Sequence, residues 1–114
     1  WKPGVTKVDR LRLEKAEWAL WGSRGVWYFP SVRANYQHEA MFPLELPKRL
    51  IKLLTDKGDV ILDCFVGSGT TAIASIQEGR NFIGIDLDEN YAKMAEAACS
   101  KELRKSKVIE TKLL

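Results

Sequence analysis

The sequence predicts an α/β fold in which two or three parallel strands alternate with flanking helices. Two apolar runs, Val60 to Phe65 and Asn81 to Asp86, are separated by a glycine-rich turn and a helical pattern. Both runs are nearly uninterrupted and contain β-branched residues, which is typical of parallel strands covered on both faces. Parallel strands need a crossover connection, so the two runs and the intervening helix predict a right-handed βαβ unit.

The segment between the strands combines a glycine turn with the start of a helix. Gly67 and Gly69 permit positive φ and close approach of the backbone. Thr70 or Thr71 is suited to cap a helix whose end is marked by Gly79 at the C′ position. The free N–H groups and the dipole at such a helix start point at whatever lies above the strand end.

Two aspartates lie in or at the end of the predicted strands. Asp63 interrupts the first apolar run, and Asp86 ends the second. An acid at the end of the strand after a glycine-rich turn is placed to accept both hydroxyls of a ribose. Because Gly67, Gly69 and Ala72 satisfy G-x-G-x-x-A, the ligand could be a dinucleotide or an adenosyl-type cofactor.

Three motifs in order favour the adenosyl cofactor. HEAMFPLEL from His38, DCFVGSGTT from Asp63 and GIDLD from Gly84 resemble H-x-A-x-F-P, D-P-F-x-G-S-G-T-T and G-I-E/D in β-type DNA amino-methyltransferases. That family uses S-adenosylmethionine (SAM) and modifies cytosine N4 or adenine N6. The resemblance runs from about Ser31 to Ala98, and Cys64 stands where the family usually has proline. It implies a partial Rossmann-like SAM-dependent methyltransferase fold.

The resemblance also implies a SAM site, without a metal. The glycine turn would surround the methionine end, with Asp63 near its ammonium, Phe65 beside the sulfonium and Asp86 on the ribose. Leu87 would contact adenine, with ordinary core packing as the alternative. The segment around His38 would shape the pocket, although a lone histidine would otherwise be read as structural. The implied cofactor-binding residues are His38, Ala40, Phe42, Asp63, Phe65, Gly67, Ser68, Gly69, Thr70, Thr71, Asp86 and Leu87.

One family motif is absent from these 114 residues. The family carries a catalytic loop of Asp, Asn or Ser, two prolines and an aromatic residue, here called the diproline loop, N-terminal to the motifs above in the β-type order. Pro3, Pro30, Pro43 and Pro47 are all single. The resemblance therefore implies that a second chain supplies the diproline loop and the strand beside Val60 to Phe65, and that no catalytic residue lies here.

Other functions remain open at this point. The chain could be a non-catalytic SAM-binding subunit for regulation or assembly, or a truncated methyltransferase. A fragment of an RNA or small-substrate methyltransferase would use the same cofactor site. A dinucleotide-binding module is the least favoured alternative.

The N-terminal half is basic. Residues 1–58 contain eleven Lys and Arg against six acids, whereas residues 59–114 contain seven against nine. Residues 1–30 are predicted to be an aromatic and basic segment, either a remnant of a target-recognition region or an interface, and residues 31–114 a SAM-binding half-domain. Basic residues beside a SAM site favour contact with DNA phosphates, and a solvated mixed surface is the alternative.

Aromatic residues cluster around Arg24 in the N-terminal segment. They could stack on an extruded base or contact the nucleic-acid backbone. Alternatively, they form a strand and hairpin that packs against a core or a partner. The aromatic residues are Trp21, Trp27, Tyr28 and Phe29.

The remaining patterns are local. Pro47 to Thr55 predicts an amphipathic helix with Pro47 at its first position, a second helix is expected from about Glu89 to Lys101, and Val108 to Leu114 is a candidate third strand. Two cysteines without CxxC spacing predict reduced thiols and no zinc site. No apolar stretch approaches the ~20 residues of a membrane span, so a cytoplasmic location is expected.

Overall fold

The computed structural model describes residues 13–14, 17–22, 24–30 and 42–112, with the side chains of the last helix described as far as residue 106. Within these residues, a π-helical turn comes first, followed by three helices and two strands in alternation. In chain order these are the π-turn Trp18–Gly22, α1 Glu45–Leu54, β1 Val60–Asp63, α2 Thr70–Gln77, β2 Asn81–Gly84 and α3 Glu89–Lys112. No helix in these ranges is both long and apolar enough to span a bilayer.

The two strands form a parallel pair, which confirms the predicted pairing. The register runs from Val60 opposite Asn81 to Asp63 opposite Gly84. Both strands are two residues shorter than predicted. Backbone contact nevertheless continues past their ends, because the N–H of Ile85 donates to the carbonyl of Asp63 at 2.9 Å.

The candidate third strand is wrong. Residues 108–112 belong to α3, which runs without a break from Glu89 to Lys112. The charged stretch from Lys101 to Lys107 contains good helix formers and no glycine or proline, so nothing in it ends the helix. The helix therefore continues through the β-branched residues that suggested a strand.

Helix α2 begins and ends at glycines. Gly79 has φ 73°, and the N–H of Arg80 donates to the carbonyl of Ser75 at 2.8 Å, which confirms the predicted C′ glycine. The predicted threonine cap is wrong. Gly69 is the N-cap residue with φ 94°, and no side chain caps the helix. A β-branched residue does not adopt this conformation readily, so Thr70 becomes the first helical residue and is buried.

Helix α1 begins at Glu45, two residues before the predicted start. Pro47 is therefore the third helical residue, a position in the first turn where no intrahelical N–H bond is required. Glu45 forms an ion pair with Arg49 at 3.0 Å across one turn. Thr55 ends the helix by donating its N–H to the carbonyl of Ile51.

The hydrophobic core lies on one side of the sheet. Ile61 and Phe82 are half-buried, and Phe82 packs on a cluster formed by Val66, Ala72, Ala95 and Cys99. The opposite face holds Val60, Leu62, Ile83 and Ile85, which are 51–61% exposed. The prediction of strands covered on both faces is therefore wrong for the described part of the chain, because its helices pack on the face of Ile61 and Phe82.

The N-terminal aromatic residues pack against α1, and the predicted strand and hairpin are not formed in residues 24–30. Trp21 is buried beside Leu53, and Trp27 Nε1 donates to the carbonyl of Trp21 at 2.8 Å. The guanidinium carbon of Arg49 lies 5.6 Å from the Trp21 ring centroid, 5.7 Å from that of Trp27 and 4.6 Å from that of Phe29. We call these three rings around Arg49 the arginine cage.

Candidate cofactor site at the carboxyl ends of the strands

The glycine turn connects β1 to α2 with two residues at positive φ. Gly67 has φ 52° and Gly69 has φ 94°. The N–H of Gly69 donates to the carbonyl of Val66 at 2.9 Å, and the carbonyl of Gly69 accepts from Ile73 at 2.9 Å. The turn is thus hydrogen-bonded to itself and to the helix that it starts.

Gly69 also lies against α3. A Cβ atom at this position would lie 3.0 Å from the Cα and 3.2 Å from the Cβ of Ala95. Gly69 is therefore required both by its backbone conformation and by the close packing of α3 on the turn. The sequence predicted that another group approaches the backbone closely at Gly69. In the structure, Ala95 of α3 is one such group.

Asp86 joins the second strand to the glycine turn. Its Oδ2 accepts the N–H of Gly67 at 2.9 Å, and its Oδ1 accepts the N–H of Asp88 at 2.9 Å. The side chain is half-buried. Two backbone donors fix the orientation of the carboxylate at the sheet edge.

Asp63 lies at the corresponding end of β1. It is half-buried, and its Oδ1 accepts the N–H of Phe65 at 3.0 Å. Phe65 itself is 85% exposed, and Leu87, directly after Asp86, is fully exposed. The ends of the two strands therefore present one carboxylate each, followed closely by an exposed apolar side chain.

The start of α2 adds backbone donors to this edge, because the first N–H groups of a helix have no intrahelical acceptor. Thr70 is buried, whereas Ser68 and Thr71 are half-buried. Thr71 and Phe42 both line an apolar groove of about 280 Å³ between α1, β1 and α2. The structure thus brings Phe42 towards the glycine turn, whereas His38 and Ala40 lie outside the described residues.

Sequence reasoning missed the role of Asp88. Its Oδ1 accepts the N–H of Asn90 at 2.8 Å, and its carbonyl accepts the N–H of Ala92 at 3.0 Å. Asp88 is therefore the N-cap of α3. An aspartate followed by Glu89 in the first turn was the signal that could have identified it.

The site edge combines carboxylates, backbone donors and exposed apolar groups, which are the chemical features needed to hold an amino-acid group, a ribose and a base. Cys64 and Cys99 are both free, as predicted. Burial raises the pKa of the Cys99 thiol, which keeps it protonated near neutral pH. In the described part of the chain, no group of His, Cys, Asp and Glu is arranged to bind a metal.

Comparison with known proteins identifies the class. The DNA methylase family model, N6_N4_Mtase, matches residues 4–97. The chain therefore belongs to this family of DNA methylases, which confirms the resemblance to DNA amino-methyltransferases.

One relative is the type II methyltransferase M.BglI of Bacillus subtilis, 63% identical over 95 residues, which are 83% of this chain and 27% of the relative. Among solved structures, the putative DNA modification methylase TTHA0409 from Thermus thermophilus, complexed with S-adenosyl-L-methionine, matches with a TM-score of 0.51 and 44% identity over 54% of this chain and 26% of that one. The cytosine-N4-specific PvuII DNA methyltransferase matches with a TM-score of 0.53 and 28% identity over 60% and 28% of the two chains. The predicted methyltransferase fold is confirmed, and the chain spans roughly a quarter of the length of these relatives.

Proposed function

We propose that this chain is the SAM-binding subunit of a split DNA methyltransferase that methylates the exocyclic amine of cytosine (N4) or adenine (N6). The hydrogen bond from the Gly67 N–H to Asp86 Oδ2, at 2.9 Å, is the observation that carries the cofactor site. It joins the glycine turn to the acid just after the neighbouring strand, so that groups 19 residues apart in sequence would contact one ligand. The enzyme would serve restriction–modification in the cytoplasm.

The residues at the strand ends fit SAM by their chemistry. Asp63 has one oxygen on the Phe65 N–H and a second for the ligand's ammonium. The carboxylate of Asp86 would accept hydrogen bonds from the two ribose hydroxyls. Phe65 and Leu87 offer exposed apolar surface for the sulfonium region and adenine.

The glycine turn and the groove complete the proposed site. The backbone N–H groups at the start of α2 would bind the polar end of the methionine moiety. Gly67, Ser68, Gly69, Thr70 and Thr71 would surround it. Phe42, in the groove with Thr71, would close the pocket together with His38 and Ala40.

Catalysis in this proposal is positioning. When bound, SAM would supply an electrophilic methyl group to the amine nitrogen. The chain's residues hold the donor at a fixed orientation, which lowers the entropic part of the barrier. The diproline loop of the second chain would bind the flipped base and accept hydrogen bonds from its amine.

Calorimetric titration with SAM tests the cofactor site. Asp86→Asn leaves one carbonyl oxygen and places an NH₂ group beside a backbone donor, so SAM affinity should fall by roughly 5- to 150-fold, equivalent to about 1 to 3 kcal/mol. Asp88→Asn is the matched control, since it makes the same charge change two residues away and asparagine also caps helices. Equal affinities for the two variants would remove Asp86 from the site, and preferential binding of NAD would favour a dinucleotide module.

DNA contact is proposed for the side of residues 24–30 that faces away from the arginine cage. Arg24 is exposed and Tyr28 is 85% exposed, whereas the rings of Trp27 and Phe29 contact Arg49. In the assembled enzyme, Arg24→Ala should weaken DNA binding and reduce its salt dependence. Unchanged affinity and salt slope would instead assign these residues to packing.

A further inference from the structure

Phe42 lines the apolar groove beside the glycine turn without being buried in the core. Its side chain is 42% exposed, and it shares the groove with Thr71 of α2. Burial therefore fixes its position only in part, and the backbone that follows it contributes the rest. That backbone turns directly into α1, because the N–H of Leu46 donates to the carbonyl of Pro43 at 3.0 Å. The position of Phe42 thus depends on the first turn of α1.

The first turn of α1 has no side-chain cap. Leu44 occupies the N-cap position and forms no capping hydrogen bond, and helix ends without such bonds fray readily. An ion pair joins this turn to the next, since Arg49 Nε donates to Glu45 Oε1 at 3.0 Å. Glu45 is the first residue of α1 and lies three residues after Phe42. Arg49 is therefore connected to the segment that carries Phe42.

The arginine cage restricts the cationic partner of this pair. The guanidinium carbon of Arg49 lies between 4.6 and 5.7 Å from the three ring centroids, and the side chain is only 17% exposed. A solvated ion pair across one helical turn contributes little, because two long side chains lose conformational freedom when they pair. The rings already restrict Arg49, and its guanidinium is planar and rigid. Its pair with Glu45 can therefore restrain the first turn more firmly than a solvated pair would.

We propose that Arg49 is a positioning residue for the cofactor pocket. The arginine cage fixes Arg49, Arg49 fixes Glu45, and the first turn of α1 then places Phe42 in the groove. This inference rests on the proposed function, which assigns Phe42 to the pocket. The side chains of α1 that line the groove include Leu46 and Leu50, whereas the side chain of Arg49 contacts the rings. Arg49 therefore acts on the cofactor only through the backbone of α1.

Amide hydrogen exchange followed by NMR tests the structural step. Arg49→Met retains a long side chain but removes the charge and the bond to Glu45. The N–H groups of Leu46 and Lys48, which bond at the start of α1, should then exchange about 3- to 10-fold faster relative to the N–H of Glu78 at the end of α2. Taking the ratio to Glu78 removes the effect of a general loss of stability, because global unfolding exposes all of these groups equally.

Lys52→Met is the matched control. It makes the same charge change on the same helix, but Lys52 pairs with Glu17 of the N-terminal segment and not with Glu45. The exchange ratio should stay within about twofold of wild type. An equal rise of the ratio in the Arg49 and Lys52 variants would overturn the inference, because any weakened contact with the N-terminal segment would then have the same effect.

Calorimetric titration with SAM tests the functional step. It is performed on this chain alone and mixed with a complementary polypeptide that carries the diproline loop, well below the unfolding midpoint of each variant. Arg49→Met should weaken SAM binding by about 3- to 10-fold, and Lys52→Met by less than about twofold. Glu45→Ala should weaken it as much as Arg49→Met. The double variant should bind SAM within about twofold of either single variant, because both changes remove the same link.

The outcomes separate this inference from the proposed function. SAM binding of wild-type strength in Arg49→Met, an unchanged exchange ratio, or full additivity of the Arg49 and Glu45 changes overturns the inference and leaves the proposed function in place. A wild-type chain that binds no SAM in either preparation removes the proposed function and the inference with it. Faster exchange at Leu46 and Lys48, together with weaker and non-additive SAM binding, supports both.

Discussion

Replacing Gly69 with alanine is expected to destabilise the chain by about 2 to 5 kcal/mol, as the sum of a backbone cost and a packing cost. The φ of 94° costs a residue with a Cβ about 1 to 2 kcal/mol. The new Cβ would lie 3.0 Å from the Ala95 Cα, a backbone atom of α3 that cannot move alone, and such overpacking costs about 1 to 3 kcal/mol. Urea unfolding followed by circular dichroism, extrapolated linearly to water, measures the sum.

Substitutions at two other glycines separate the backbone cost from the packing cost. Gly58 has φ 88°, yet a Cβ there would have nothing within 4 Å, so Gly58→Ala should cost only the conformational part. Gly25 has no such φ and no close neighbour, so Gly25→Ala should lie within about 0.5 kcal/mol of wild type. If Gly69→Ala costs no more than Gly58→Ala, α3 does not pack tightly on the glycine turn and the reasoning fails.

Three further changes test the contacts that hold the chain together. Arg49→Met should lower the free energy of unfolding by about 1 to 2 kcal/mol and alter tryptophan fluorescence, because it removes the cation from the arginine cage. Unchanged fluorescence would contradict the contact between Arg49 and the rings. Burial raises the pKa of Glu17, but the hydrogen bond from Lys52, the hydrogen bond from the Glu14 N–H and the charge of Lys52 together outweigh burial and leave the pKa below the usual 4.5. The pair therefore stabilises the fold above pH 4.5, and about 0.5 to 1 kcal/mol of stability is lost as the pH falls below that value. Glu17→Gln should flatten that part of the pH profile, and an unchanged profile would exclude the pair as its cause. Arg80→Met removes guanidinium bonds to the hydroxyl and carbonyl of Thr55, at 3.0 and 2.6 Å, and should cost about 1 to 3 kcal/mol in urea unfolding; wild-type stability would mean that water replaces these bonds without loss.

The βαβ unit could be predicted because its signals are local. Apolar runs, positive-φ glycines and a terminal acid each act within a few residues, and the paired strands and Gly79 were found where the sequence placed them. The threonine cap failed because Gly69 took the N-cap position. The third strand failed because helix propensity in a charged stretch extended α3 through Val108.

The site could be predicted only in part, since its contacts join distant segments. The bond between Gly67 and Asp86 spans 19 residues, and no sequence pattern specifies which backbone donor a carboxylate accepts. Arg49 occupies the arginine cage, a contact that the amphipathic pattern of Pro47 to Thr55 does not specify. The apolar strands indicated burial on both faces, whereas Leu62 and Ile83 are more than half exposed in the described structure.

Reconstitution of methyl transfer tests the central claim most directly. SAM with a labelled methyl group and DNA are incubated with this chain, with a complementary polypeptide carrying the diproline loop, and with both. The proposal predicts transfer to DNA only in the mixture and its loss with Asp86→Asn, while Asp88→Asn retains it. Transfer by either polypeptide alone, or a mixture that binds SAM and DNA without transfer, would contradict a split active site.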